Sequence, residues 1–167
     1  MSTATDISAT EDTIDSVLSR RYRFVVPEYQ RQYSWGKEQW KEFWDDLTEV
    51  VKEGGTHFLG SIVVVERETS IDEINEYEVV DGQQRLTTIS ILLCIIRQYY
   101  DESDRKGDAD DLSEAYLFEK DNDFNPHQKI KLNSLDNPQY RRLLNGNTPR
   151  QNESELRNAA EFFGAKI

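Results

Sequence analysis

Apolar residues recur at helical spacing over two long stretches of the chain, and short β-branched runs lie between and around them. Trp40, Phe43, Trp44, Leu47, Val50 and Val51 fall at i, i+3, i+4, i+7, i+10 and i+11, a stripe that predicts a helix packed on a core. The opposite face, with Lys41, Glu42, Asp45, Asp46 and Glu49, reads as solvated surface rather than as a metal site. Ser34 is the expected N-cap, and Gly54 and Gly55 are placed to end the helix. A second helix is predicted from Gln83 to Tyr100. Leu86, Ile89, Leu93 and Ile96 share one side of it and Ile91, Leu92 and Ile95 fill another, so burial on most sides is expected. Cys94, inside that girdle, reads as a small buried hydrophobe and not as a nucleophile.

Weaker patterns complete the outline. Ile14, Val17 and Leu18 suggest a short helix, and Tyr22 to Val26, Phe58 to Val65 and Glu76 to Val80 read as strands. The last two are expected to pair antiparallel across a charged loop from Glu66 to Asn75, with Gly60 allowing close backbone packing. Asp101 to Asp111 reads as a linker or mobile loop, Leu112 to Glu119 as a helix, and Lys129 to Leu132 as a short strand. Asn137-Pro138 opens a further helix, Gly146 to Gln151 is a loop, and Glu153 to Phe163 returns to helical register. Phe162 and Phe163 are expected on an exposed association face. Together these elements predict an α+β fold, a small and mostly antiparallel sheet flanked by helices, with the start of a helical region at the C-terminal end.

Two segments carry candidate chemistry. In Tyr77-Glu78-Val79-Val80-Asp81-Gly82-Gln83-Gln84-Arg85-Leu86-Thr87-Thr88 a strand breaks at Asp-Gly and passes directly into the long helix. The first turn of a helix leaves amide N–H groups unpaired at the positive end of the helix dipole, which favours an anion such as phosphate. Gly82 would let a ligand approach the backbone, and Arg85 offers a planar fork of donors that matches phosphate oxygens. Asp81 could cap the helix or help to hold a hydrated Mg²⁺ on a bound nucleotide. The bland alternative is a capped turn with a surface arginine. The second segment, Val26 to Trp35, packs Tyr29, Tyr33 and Trp35 beside Gln30, Arg31 and Gln32 with no clear period. Aromatic rings beside glutamine and arginine suit a nucleotide, nucleic acid or protein ligand, although core or lid roles for the rings would explain them too.

Composition narrows the class. The chain has 167 residues, a hydrophobic share of 37%, and 7 Phe, 8 Tyr and 3 Trp, enough to build a core. A net charge of -12 argues against strong non-specific binding to duplex DNA, while local basic patches remain compatible with it. His57, His127 and Cys94 are too few and too scattered for a His/Cys metal centre or a nuclease of that kind. The polar, acidic start lacks a secretory pattern, and the apolar run from Ile89 to Ile96 is too short to span a bilayer, so a soluble cytoplasmic protein is expected. No Walker A or Rossmann glycine pattern occurs.

The ordered set Pro27 to Trp35 (P-x-Y-Q-R-x-Y-S-W), Phe58 to Ile62 (F-L-G-S-I) and Asp81 to Thr88 (D-G-Q-Q-R-L-T-T) resembles the N-terminal domain of GmrSD-type restriction endonucleases. Such domains are similar to the ParB/sulfiredoxin fold, in which a G-x-x-R element at a helix N-terminus contacts nucleotide phosphates. Gly82-Gln83-Gln84-Arg85 matches that element. The resemblance implies a domain that binds or hydrolyses a nucleoside triphosphate in defence against foreign DNA, coupled to a His-Asn-His-type nuclease on the same chain or a partner. It implies a division into a leader (1–12), a nucleotide-binding core (13–100) and a loop plus helical extension (101–167) shorter than is usual in the family.

The expected roles follow. Gly82, Arg85, Thr87, Gln30 and Arg31 would bind a nucleoside triphosphate with Mg²⁺, and Asp81 would lie near the metal. Gln83 or Gln84 could orient an attacking water, Arg85 would offset charge on the transferred phosphoryl group, and Tyr29 or Tyr33 would stack on a base or contact modified DNA. A non-enzymatic DNA- or protein-interaction module using the same pocket, or an inactive remnant, stands as the rival expectation.

Overall fold

The computed structural model describes residues 9–67, 74–149 and 154–167. Most of the leader expected over 1–12, the middle of the 66–75 loop and the end of the loop after Gly146 lie outside the described residues.

One helix organises the rest. Helix α3 (Gln83–Glu102) buries Leu86, Ile89, Ile91, Leu92, Cys94 and Ile95, the girdle that its sequence predicts. Burial of each large aliphatic side chain contributes about 1.5–3 kcal/mol, so this helix anchors the core. Burial also pushes the Cys94 thiol up to about 12, which leaves it protonated and unreactive at neutral pH. Against α3 pack α4 (Lys106–Leu112), α5 (Asn137–Leu144) and α6 (Glu155–Gly164). Arg97 of α3 donates to the carbonyls of Leu144 at 2.5 Å and Leu143 at 3.2 Å, capping the C-terminal end of α5.

The main sheet has the order β2-β3-β1-β6, formed by β1 (Tyr22–Val25), β2 (Val63–Glu66), β3 (Asn75–Asp81) and β6 (Ile130–Lys131). β2 and β3 pair antiparallel, as does a separate hairpin of β4 (Phe118–Lys120) with β5 (Pro126–Gln128). β1 runs parallel to both of its neighbours, a mixture that strand composition does not announce. Phe24, Val79 and Ile130 turn into the core, whereas Arg23, Glu76 and Glu78 lie on the other face. The class is α+β, as expected.

Several boundaries differ from expectation for identifiable reasons. Helix α2 (Lys37–Glu53) starts at Gly36 and not at Ser34: the Gln39 carboxamide accepts the Gly36 N–H at 2.9 Å, and the Ser34 N–H is used elsewhere. Val51, at the edge of the α2 stripe, is 85% exposed. Phe58 to Ile62 is not strand; Gly60 has a φ of +99° and the segment bends before β2. The segment expected as a linker contains α4, whose polar sequence conceals it because Ala109 is its buried residue. The helix expected over Leu112 to Glu119 is a π-helical turn (Ser113–Leu117) that gives way to β4. Phe162 and Phe163 are not left exposed. Phe163 is fully buried against Phe43 and Trp44 at ring-centroid distances of 6.2 Å, and Phe162 lies 5.8 Å from Trp40. The aromatic stripe of α2 and the apolar side of α6 are each other's partners. Among the described residues, no helix is long and apolar enough to cross a membrane.

Candidate functional site

The strand-to-helix junction is built around Gly82, which takes a φ of 87° and ψ of 9° as the N-cap of α3. A side chain there would be strained by the backbone angle, and a Cβ would sit 2.8 Å from the Ser61 carbonyl oxygen. Close approach at Gly82 is therefore made by the chain itself, from the F-L-G-S-I segment, and not by a ligand as the sequence suggested. The first helical hydrogen bond runs from the Leu86 N–H to the Gly82 carbonyl at 3.0 Å. The amides of Gln83, Gln84 and Arg85 consequently have no acceptor within the helix.

On one side of this turn lies the 27–35 loop, and the two glutamines hold it there. Gln84 Oε1 accepts the backbone N–H groups of Ser34 at 2.8 Å and Trp35 at 3.3 Å, while its Nε2 donates to the Gln32 carbonyl at 3.1 Å. Gln83 Nε2 donates to Gln30 Oε1 and to the Arg31 carbonyl, both at 3.2 Å, and Gln30 Nε2 donates to the Val80 carbonyl at 2.9 Å. Both glutamines are buried. Gln84 is fully engaged at both ends, so the water-orienting role expected of either glutamine does not suit it. Gln83 Oε1 keeps an acceptor with no donor among the described residues.

Tyr33 is 5% exposed and presents no ring face to a base. Its hydroxyl is paired with Thr88 Oγ1 at 2.7 Å and accepts Trp40 Nε1–H at 2.8 Å, and burial pushes its pKa up. Thr87 is likewise buried, which takes its side chain away from the solvent-facing turn. Tyr29 is the aromatic left at the rim, 71% exposed, with its hydroxyl donating to Glu78 Oε1 at 2.6 Å.

On the other side lies Arg85. Its Nη1 donates to the Ser61 carbonyl at 2.8 Å, and the guanidinium rests against Gly60 so closely that a Cβ there would fall 2.6 Å from Cζ. The sequence suggests that Gly60 allows close backbone packing; what packs on it is this guanidinium. Among the described residues one N–H is used, and the fork keeps further donors. Neither Arg85 nor the exposed Arg31 faces a carboxylate within ion-pair distance among the described residues, in contrast to Arg20, Arg23, Arg67, Arg105 and Arg157. Asp81, exposed at the end of β3, completes the rim.

Sequence reasoning missed a second set of residues that hold the loop from beneath. Asp136 Oδ2 accepts the Tyr33 N–H at 2.6 Å, Asn133 Nδ2 donates to the Gln30 carbonyl at 3.1 Å, and the Glu28 carboxylate accepts the Ser134 N–H at 3.0 Å and hydroxyl at 2.7 Å. The Ser134 bonds hold the Glu28 pKa below its usual range, whereas burial raises that of Asp136. The run Asn133-Ser134-Leu135-Asp136-Asn137-Pro138 carries a local signal, that of a capped helix start, but its partners lie about a hundred positions away. A groove of about 260 Å³ at the other end of α3, lined by Ile95, Tyr99, Leu143 and Ala160 among others, includes none of the expected site residues.

The arrangement is an anion-attracting helix start with one restrained arginine on one flank and an aromatic-bearing loop on the other. Compared with known families, residues 14–167 match the model of the GmrSD restriction endonuclease N-terminal domain. No curated protein matches the sequence.

Proposed function

The chain belongs to the family of N-terminal domains of GmrSD restriction endonucleases, a component of restriction systems, and from that premise we propose that it binds a nucleoside triphosphate with Mg²⁺ at the start of α3. Binding and slow hydrolysis there would control a nuclease carried elsewhere, in antiviral defence. The observation that carries this reading is the combination at one place of three first-turn amides and an arginine that is held in position without a carboxylate partner among the described residues.

In this reading the Gln83, Gln84 and Arg85 amides cradle phosphate oxygens, and Arg85 and Arg31 approach from opposite flanks. Asp81 is a single exposed carboxylate, which suits a hydrated Mg²⁺ held chiefly by the phosphates, where it neutralises their charge. Gln83 Oε1 is the acceptor available to orient a water, and Tyr29 the ring available to a base.

A second reading follows from the glutamines. The Nε2 groups of both and the Oε1 of Gln84 are committed to the loop, which favours a module that binds a nucleotide or a DNA backbone without turnover. Phosphate release from ATP, GTP, CTP and UTP with Mg²⁺, with and without DNA, separates the two. Turnover by wild type that disappears in Arg85→Ala supports the first. Saturable binding lost in Arg85→Ala, with no phosphate released by either protein, supports the second. No binding and no turnover would refute the triphosphate site.

A further inference from the structure

Tyr29 is exposed, yet its ring is not free to swing. Its hydroxyl donates to Glu78 Oε1 at 2.6 Å, which draws the Glu78 pKa down and the tyrosine's up. The other Glu78 oxygen is taken by Arg67 Nε at 3.0 Å. Arg67 also lies 3.5 Å from Glu76, and Glu76 lies 3.3 Å from Arg23, its register partner across β1 and β3. Four alternating charges thus run along the outer face of the sheet and end on the Tyr29 hydroxyl. The next residue, Gln30, is fixed to Val80 and Gln83.

Glu78 precedes Gly82 by four residues, about 13 Å along a strand, a span that the sugar and phosphates of a nucleotide can bridge. A ring restrained before the ligand arrives loses little side-chain freedom on stacking, so its contact area is converted to affinity more fully.

We infer that Glu78, braced by Arg67, is a positioning residue that aims Tyr29 as a stacking platform for the nucleobase of a ligand whose phosphates occupy the first turn of α3. This rests on the nucleotide reading above. Because the Tyr29 hydroxyl proton is committed to Glu78, the platform offers a base its ring face and no hydrogen-bond donor, and stacking on a ring face tolerates different bases.

The test compares Mg²⁺-ATP with Mg²⁺-tripolyphosphate, which has the phosphates and no base, by titration calorimetry on wild type, Glu78→Ala and Glu78→Gln. Glu78→Ala is expected to weaken ATP about fivefold or more and to leave tripolyphosphate unchanged. Glu78→Gln, which keeps an oxygen for the Tyr29 hydroxyl, is expected to stay within about twofold of wild type for ATP. A merely structural role would weaken both ligands equally and overturn the inference, as would an unchanged ATP affinity in Glu78→Ala. Wild type that binds tripolyphosphate as tightly as ATP overturns the platform alone, while wild type that binds neither overturns the phosphate site and the platform with it.

Discussion

The two flanks of the α3 N-terminus use the same motif in opposite ways. On the glutamine flank, Gln83 and Gln84 are buried and their carboxamides satisfy backbone groups of the 27–35 loop. On the arginine flank, the bond to the Ser61 carbonyl and the missing side chain of Gly60 hold Arg85 in place, and its remaining donors have no partner among the described residues. Five consecutive residues, Asp81 to Arg85, thus divide into groups that build the junction and groups that it presents. A short motif is not evidence that all of its members touch a ligand, and burial with hydrogen-bond completeness tells the two groups apart.

Substitutions can break that division, beginning with its hinge. Gly82→Ala combines a positive φ with a backbone clash at 2.8 Å, and is expected to cost about 2–4 kcal/mol, a fall of roughly 5–15 °C in Tm by thermal unfolding. Gln84→Ala strips the Ser34 N–H and Gln32 carbonyl of their partners and is expected to cost about 2–3 kcal/mol, with faster amide hydrogen exchange confined first to residues 29–35. Gly60→Ala would add strain at a φ of +99° and press on the guanidinium of Arg85. Because that group is the far end of a flexible side chain, the expected cost is smaller, about 1–2 kcal/mol, and any affinity of the proposed phosphate site should fall along with stability.

The smallest expected effect is on pH dependence. Asp136 supports the loop with one carboxylate oxygen, while its Oδ1 is buried without a partner among the described residues, and burial raises its pKa. A raised folded-state pKa means that the native chain holds this proton more tightly than the unfolded chain. Its contribution to stability is thus fully present below the unfolded value, is lost as pH rises through the folded value, and does not return at higher pH. Asp136→Asn, which can still accept the Tyr33 N–H, is expected to flatten stability against pH in that acid range, measured by denaturant unfolding at several pH values.

The parts of the fold written in local pattern were legible. The Ile- and Leu-rich girdle of α3, the aromatic stripe of α2 and the Asp-Gly junction each follow from short-range spacing. What escaped was written in long-range pairing. The N-cap of α2 is Gly36, its N–H bound by Gln39, while the Ser34 amide is bound by Gln84, fifty positions on. Tyr33 looked as available as Tyr29, and only its contacts with Thr88 and Trp40 send it into the core. Phe162 and Phe163 looked unpartnered because α2 lies more than a hundred residues earlier in the chain. Helix α4 was hidden by its polar surface, since Ala109 is its buried contact.

The most direct test of the division between building and binding residues is titration of Mg²⁺-ATP into wild type and Arg85→Ala, with the unfolding midpoint of each protein measured in the same buffer. The proposed nucleotide site requires saturable binding by wild type, about a tenfold or greater loss in Arg85→Ala, and a change in stability below about 1 kcal/mol. Undiminished binding by Arg85→Ala, or a loss of binding that merely follows a collapse in its melting temperature, would contradict it.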